Sequence, residues 1–201
     1  MTVLGVTGGT GCGKTTLLRR AEAMGGFTVD CDAVYHELLA CDGALLCALE
    51  ARFPGTVEDG ALNRRKLGTL VFGDPKALAD LNALTHPFVA DAVLSRVRAA
   101  EACGYGLAVI DAVALVESGL GKSCDATIAV TAPAEARIRR LMAREGIPES
   151  YARLRIAAQK SNAQFSGQCD RTIYNDYPDP EQFAEACDRL LLELTGGNKH
   201  E

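Results

Sequence analysis

The chain has 201 residues, enough for one globular domain with a small inserted lobe and too few for two full-sized domains. Apolar residues make up 48% and charged residues 23%, the mixture of a folded chain rather than a disordered one. A net charge of −5, from 21 Lys and Arg against 26 Asp and Glu, argues against a general nucleic-acid binder while leaving room for a local basic pocket. The first residues carry no basic segment or cleavage-site pattern, and the most apolar run, 107–116, is interrupted by Asp111 and is too short to span a bilayer. The eight cysteines form no C-x-x-C pair and have no zinc-like spacing with the three histidines. The expectation is a cytoplasmic protein, not bound to membrane, with reduced, scattered and mostly buried thiols.

In chain order, an apolar strand over 2–7 leads into a glycine-rich turn and a helix over 14–24, which Gly25-Gly26 stops. A second strand over 27–30 ends in Asp30-Cys31-Asp32. The stretch 33–101 contains no convincing strand; helical segments fall at 33–40, 43–52, 63–72 and 75–100, with turns at Pro54-Gly55 and Asp59-Gly60. Pro87 predicts a kink or split of the last of these near His86. Strand character returns at 105–111 and 126–131. Pro133 suits the first turn of a helix to about 144, and a polar helix follows Gly146-Ile-Pro148 as far as about 162. A fifth strand over 171–174 precedes a C-terminal helix to about 194, and a frayed tail is expected over 196–201. Alternation of strands and helices of this kind predicts an α/β fold with a mostly parallel sheet.

Gly8-Gly-Thr-Gly-Cys-Gly-Lys14-Thr15 satisfies G-x-x-x-x-G-K-[ST] at every fixed position, between an apolar strand and an amphipathic helix. In such a loop the glycines let backbone N–H groups wrap phosphate oxygens, and the helix N-terminus adds partial positive charge. ATP-binding residues are therefore expected at Gly9, Thr10, Gly11, Cys12, Gly13, Lys14, Thr15 and Thr16. Lys14 reaches the β- and γ-phosphates, and the Thr15 hydroxyl ligates Mg²⁺. Cys12 is either a thiol made reactive by the helix N-terminus or a small residue that fits there.

Asp30 and Asp32 follow the second strand, where open parallel sheets bind ligands. If strand geometry persists to Asp32, both carboxylates project to one side. One of them can cap the following helix while the other orients or deprotonates an acceptor hydroxyl. Asp111 closes the run Leu-Ala-Val-Ile, which resembles a Walker B strand that holds Mg²⁺ directly or through water; an ordinary strand-end turn is the alternative.

These motifs, in this order, resemble the dephospho-CoA kinase family. The resemblance covers roughly residues 3–176. It is carried by Val3 to Thr16, by Val29-Asp-Cys-Asp32, and by Asp59-Gly-Ala-Leu-Asn-Arg64-Arg65-Lys-Leu67. Further along it is carried by Val71-Phe-Gly-Asp-Pro75, Leu84-Thr-His86-Pro87, Asp111 to Leu120, Leu141 to Gly146, Ala157-Ala-Gln159, and Asp170 to Ile173 with Asn175. It implies a P-loop NTPase three-layer α/β/α core with a five-stranded parallel sheet over 1–32, 102–133 and 168–201. A helical CoA-substrate lobe would occupy 33–101 and a lid 134–167. It implies transfer of phosphate from ATP, with Mg²⁺, to the ribose 3′-hydroxyl of dephospho-CoA, with Asp32 as catalytic base alongside Lys14. Acceptor contacts are implied at Asp32, Arg65, His86 and Glu117, and lid phosphate contacts are expected at Arg140, Arg144 or Lys160.

On residue type alone, His86 serves equally to lock a helix bend, and a pair such as Arg64 and Arg65 more often forms a solvated helix face than a ligand site. The chain departs from the family pattern where x-[ST]-R follows the lid Gln: here Gln159 leads to Lys160-Ser161-Asn162, so an arginine is missing at 162. Val113 and Ala114 replace a Pro-Leu pair. Competing readings are another P-loop small-molecule or nucleoside kinase and a catalytically reduced CoA-binding regulator. A guanine-nucleotide switch would need N-K-x-D, which the chain lacks.

Overall fold

A computed structural model describes residues 1–196. The chain divides into two compact units, Met1–Val29 with the residues from Ala100 onward, and Asp30–Ala99.

The first unit is built on a five-stranded parallel sheet. β1 (Thr2–Thr7), β2 (Phe27–Asp30), β5 (Leu107–Asp111), β6 (Ala126–Thr131) and β7 (Arg171–Tyr174) lie in the order β2-β5-β1-β6-β7. β1 sits at the centre, with Val6 opposite Asp111 of β5 and Ile128 of β6. Strands covered on both faces read as unbroken apolar runs, and Leu107 to Ile110 and Thr127 to Thr131 are buried throughout. The chain leaves β1 toward one edge of the sheet, and β6 and β7 extend the other, so the carboxyl end of β1 opens the crevice where such sheets bind ligands. α1 (Lys14–Ala23) and α9 (Pro180–Gly196) pack on the sheet through Leu17, Ala21, Phe183, Cys187 and Leu191. Arg20 of α1 grips Asp188 of α9 with two hydrogen bonds, the Nε one at 2.7 Å.

α6 (Ala134–Glu145) ends at Gly146 in a left-handed C-cap and packs Ile138 and Leu141 on Ala152 of α7 (Glu149–Ala157). The expected single helix to 162 is two helices. Ser161 caps the short α8 (Asn162–Ser166) in a reciprocal capping box with Gln164, and this new start draws the chain out of helix after Ala158. The strand expected over 105–111 begins only at Leu107, because Gly104 has positive φ and turns the chain just before it. Positions 197–201 of the expected tail lie outside the described residues, and Gly196 itself closes α9.

Asp170, just before β7, accepts hydrogen bonds from the Thr127 N–H at 2.8 Å and the Thr127 hydroxyl at 2.7 Å. The hydroxyl bond, then the backbone bond, holds its carboxyl below the usual 3.8. This support is fully present above about pH 3.8 and is lost as pH falls through the lower folded value. Asp170→Asn should lower Tm at pH 7 and flatten the acid limb of the Tm–pH curve. An unchanged acid limb would show that Asp170 does not fasten β6 to β7.

The second unit is helical, with α2 (Cys31–Cys41), α3 (Gly43–Arg52), α4 (Arg64–Val71) and the part of α5 (Pro75–Ala102) up to Ala99. Its core is Leu39, Leu45, Leu49, Phe53, Leu67, Val71 and Ala77. Asp30, Asp42 and Asn63 cap α2, α3 and α4 with their side chains. Where no strand was expected, β3 (Val57–Glu58) and β4 (Ala61–Leu62) form a small antiparallel hairpin. Asp59 and Gly60, at φ 50° and 77°, give it the positive-φ turn that Asp-Gly favours. Of the kink or split expected at Pro87, the split does not occur, and α5 runs unbroken through it. The proline removes a single N–H donor, and in the turn before it the Thr85 hydroxyl bonds the Leu81 carbonyl at 2.9 Å.

None of the eight cysteines forms a disulfide, and they are not mostly buried. Cys12, Cys31 and Cys187 are enclosed, whereas Cys41, Cys47 and Cys103 face solvent at the end of α2, on α3 and just after α5.

Candidate active site

The glycine-rich loop joins β1 to α1 with backbone angles that side chains resist. Gly13 has φ 112°, and a Cβ there would lie 2.4 Å from Asn175 Nδ2 and 2.8 Å from the Phe183 ring. Gly13→Ala should destabilise the fold by about 1–3 kcal/mol and weaken ATP binding; an unchanged urea midpoint would contradict this. Three loop carbonyls are held by side chains. Thr10 O accepts from Arg137 Nε at 2.9 Å, Gly11 O from Arg140 at 3.2 Å, and Cys12 O from Asn175 Nδ2 at 2.9 Å. Carbonyl and following N–H point oppositely across a trans peptide, so holding these carbonyls turns the N–H groups of Gly11, Cys12 and Gly13 the other way. The Cys12 N–H closes a long 3.3 Å turn bond on Gly9 O. Carbonyls fixed outward and N–H groups turned inward make an anion nest.

Lys14 Nζ donates to Gly8 O at 3.0 Å and lies 3.9 Å from the Asp111 carboxylate at the end of β5. Thr15 is exposed on the first turn of α1. Loop, lysine, threonine and strand-end acid therefore converge at the carboxyl ends of β1 and β5. Cys12 is buried, and that burial pushes its thiol up despite the nearby Lys14, which speaks for a small residue that fits rather than a reactive thiol.

Beside the loop opens a cavity of about 490 Å³ lined by Gly13, Thr16, Arg140, Asn175, Tyr177 and Phe183. Asn175 is buried and links Cys12 O to Arg140 at 2.9 and 3.0 Å. Of the other basic side chains on α6 to α8, Arg144 and Arg155 both pair with Glu145, and Lys160 pairs with Glu117. The two proposed ligand contacts Lys160 and Glu117 are thus engaged with each other. Asn162 donates to Ala132 O at 2.8 Å and ties α8 to the end of β6.

In the second unit the strand stops at Asp30, so the expected same-side projection of Asp30 and Asp32 does not arise. Asp30 Oδ1 accepts from the N–H groups of Asp32 and Ala33 at 2.8 and 3.3 Å, which starts the helix at Cys31. Asp32 stands exposed in the first turn of α2. Arg65 is exposed on α4, and His86 is half-buried on α5, where burial pushes its pKa down.

The family model described as dephospho-CoA kinase matches residues 2–179. The chain belongs to the dephospho-CoA kinase family. Its activity is dephospho-CoA kinase activity, the final step of coenzyme A biosynthesis, carried out as a phosphotransferase. Among relatives, it is 41% identical to the dephospho-CoA kinase of Mesorhizobium japonicum over 98% of each chain. It is 37% identical to that of Anaeromyxobacter dehalogenans over 98% of this chain and 94% of the other. The solved structure of TT1252 from Thermus thermophilus superposes with a TM-score of 0.78 at 30% identity, covering 97% and 98% of the two chains. A dephospho-CoA kinase from Campylobacter jejuni, at 21% identity and a TM-score of 0.59 over 98% of each chain, shares the fold.

Two members of the site escaped the sequence reading. Arg137 is only 4% exposed and lies on the loop, and Asn175 anchors it. The spacing 137, 140, 144 places three arginines on one stripe of α6, which was a usable signal. Nothing in the sequence marked Asn175 as facing the loop, since that contact spans 163 positions.

Proposed function

We propose that this chain transfers the γ-phosphoryl group of ATP to the ribose 3′-hydroxyl of dephospho-CoA through the following roles. The observation that carries the reading is the anion nest closed by Lys14 and Asp111 at the centre of the sheet. The loop N–H groups and Lys14 bind the phosphate chain, and the purine occupies the cavity between Gly13, Arg140 and Tyr177. The Thr15 hydroxyl and the Asp111 carboxylate are hard oxygen donors of the kind that would hold Mg²⁺. When bound, Mg²⁺ neutralises charge on the phosphate oxygens.

Asp32 acts as the base that aligns and deprotonates the acceptor hydroxyl, since Asp30 already supplies the cap and leaves the Asp32 carboxylate exposed. Arg65, His86 and Glu117 contact the acceptor, with Glu117 releasing Lys160 to do so. Residues 33–101 form the acceptor lobe and 134–167 the lid. No described helix is long and apolar enough to cross a membrane. Eight cysteines outside any disulfide are in keeping with the reducing, cytoplasmic setting proposed for the chain.

The test is ADP release from ATP and Mg²⁺ with a panel of acceptors. Dephospho-CoA should exceed nucleosides and nucleoside monophosphates by about 10²-fold or more in kcat/KM. Equal rates across the panel would assign the chain to a different acceptor.

A further inference from the structure

Arg137 is an unusual arginine. It is enclosed on α6, and its partners are neutral: Nε donates to Thr10 O at 2.9 Å, and a terminal nitrogen donates to Gln159 Oε1 at 2.6 Å. Among the described residues no carboxylate pairs with it, whereas Arg144, Arg153, Arg155 and Lys160 in the same region all have one. A buried cation facing only neutral acceptors carries an uncompensated desolvation cost, and the natural compensation is an anion. Burial duly pushes its pKa down, yet a guanidinium keeps its charge.

Its position says which anion. A Cβ on Gly9 would meet an Arg137 terminal nitrogen at 2.2 Å and Gln159 Oε1 at 2.9 Å, so both groups lie directly on the phosphate loop. Gln159 Oε1 accepts from the Thr10 N–H at 3.0 Å as well as from Arg137, while its Nε2 donates to the Thr10 hydroxyl at 2.8 Å. One neutral oxygen therefore receives a loop N–H and a guanidinium N–H together. That is the donor pair a phosphate oxygen would receive, and a charged acceptor makes both bonds stronger. Arg137 and Gln159 also line a cavity of about 510 Å³ with Lys160 and Asn162, which leaves Gln159 room to withdraw from the loop.

We propose that Arg137 contacts the transferring phosphoryl group, and that Gln159 Oε1 is a placeholder for a phosphate oxygen, released when ATP takes over the Thr10 N–H and the guanidinium. This rests on the kinase reading and adds a residue to it. Asn162, which is engaged with Ala132 O, offers no positive charge to the site, so Arg137 fills the place of the missing lid arginine from a different helix.

The experiment compares wild type with Arg137→Gln, Arg137→Lys and Gln159→Ala, each checked for folding by its thermal transition. Calorimetry gives the affinities for ADP and AMP-PNP, and ADP release gives kcat. Arg137→Gln should lower kcat by about 10²–10³-fold and weaken AMP-PNP at least about tenfold more than ADP. Arg137→Lys keeps the charge without the fork and should show the same split at smaller size; if Arg137→Gln fails to fold, this variant decides. Gln159→Ala should bind AMP-PNP at least as tightly as wild type. A kcat within about threefold of wild type in Arg137→Gln, or equal loss of ADP and AMP-PNP affinity, would make Arg137 a brace for the Thr10 carbonyl and overturn the proposal. Loss of AMP-PNP affinity in Gln159→Ala matching that in Arg137→Gln would overturn the placeholder. If wild type turned over no dephospho-CoA, the acceptor reading would fail, and the AMP-PNP to ADP ratio would still decide the role of Arg137.

Discussion

Asp32→Asn should lower kcat for dephospho-CoA by about 10²–10⁴-fold while leaving ATP affinity within about twofold of wild type. Asparagine matches aspartate in shape but cannot take a proton or offset the positive groups around a transferring phosphate. The structure makes this substitution a clean one. The hydrogen bonds that start α2 are accepted by the Asp30 carboxylate, and Asp32 takes part only through its backbone N–H while its side chain stands exposed, so the fold should be indifferent to the change. A thermal transition within about 2 °C of wild type is expected, since surface changes away from such features cost little. Near-normal turnover would remove Asp32 from catalysis and leave it as an ordinary first-turn acid.

Lys14→Ala should also lower kcat by about 10²–10³-fold, and unlike Asp32→Asn it should weaken ATP as well. Lys14 is largely enclosed, bonded to Gly8 O at 3.0 Å and 3.9 Å from Asp111, so its ammonium is held where the phosphate chain must lie. Removing it takes away the ammonium nearest Asp111 and leaves the proposed Mg²⁺ to offset the charge of the incoming polyanion there. Like charges at short range in an enclosed site repel strongly. Raising Mg²⁺ should therefore recover part of the lost affinity in Lys14→Ala but none of the lost turnover in Asp32→Asn. Equal responses of the two variants to Mg²⁺ would contradict the separate roles given to these residues.

The parts of this molecule governed by local rules were legible in its sequence. The bounds of β1, β2, β6 and β7 follow from short strand-forming runs bounded by turn residues, and the loop follows from a motif whose chemistry fixes its residues. Errors arose where two local signals competed. Ser161 and Gln164 form a capping box inside a stretch that otherwise reads as one helix, and the box prevailed because it satisfies two N–H groups at once. The Asp59-Gly60 hairpin was visible as a turn, but strands of two residues are too short to show alternation. Asp30 and Asp32 share a side only if the strand persists to Asp32; of the two roles the sequence offers them, the cap falls to Asp30 and ends the strand there.

The site's long-range members were illegible for a different reason. Arg137 reaches Thr10 across 127 positions, and whether an arginine on α6 points to water, to a glutamate or to the loop depends on packing that no local pattern encodes. Glu145 takes Arg144 and Arg155 out of consideration only once the chain is folded.

The identity of the product tests the central claim most directly. Purified protein, dephospho-CoA, ATP and Mg²⁺ should yield stoichiometric ADP and coenzyme A, with a new phosphomonoester signal in the phosphorus NMR spectrum coupled to the ribose 3′ proton. A phosphomonoester at any other position, or ADP formed without a phosphorylated acceptor, would contradict the account.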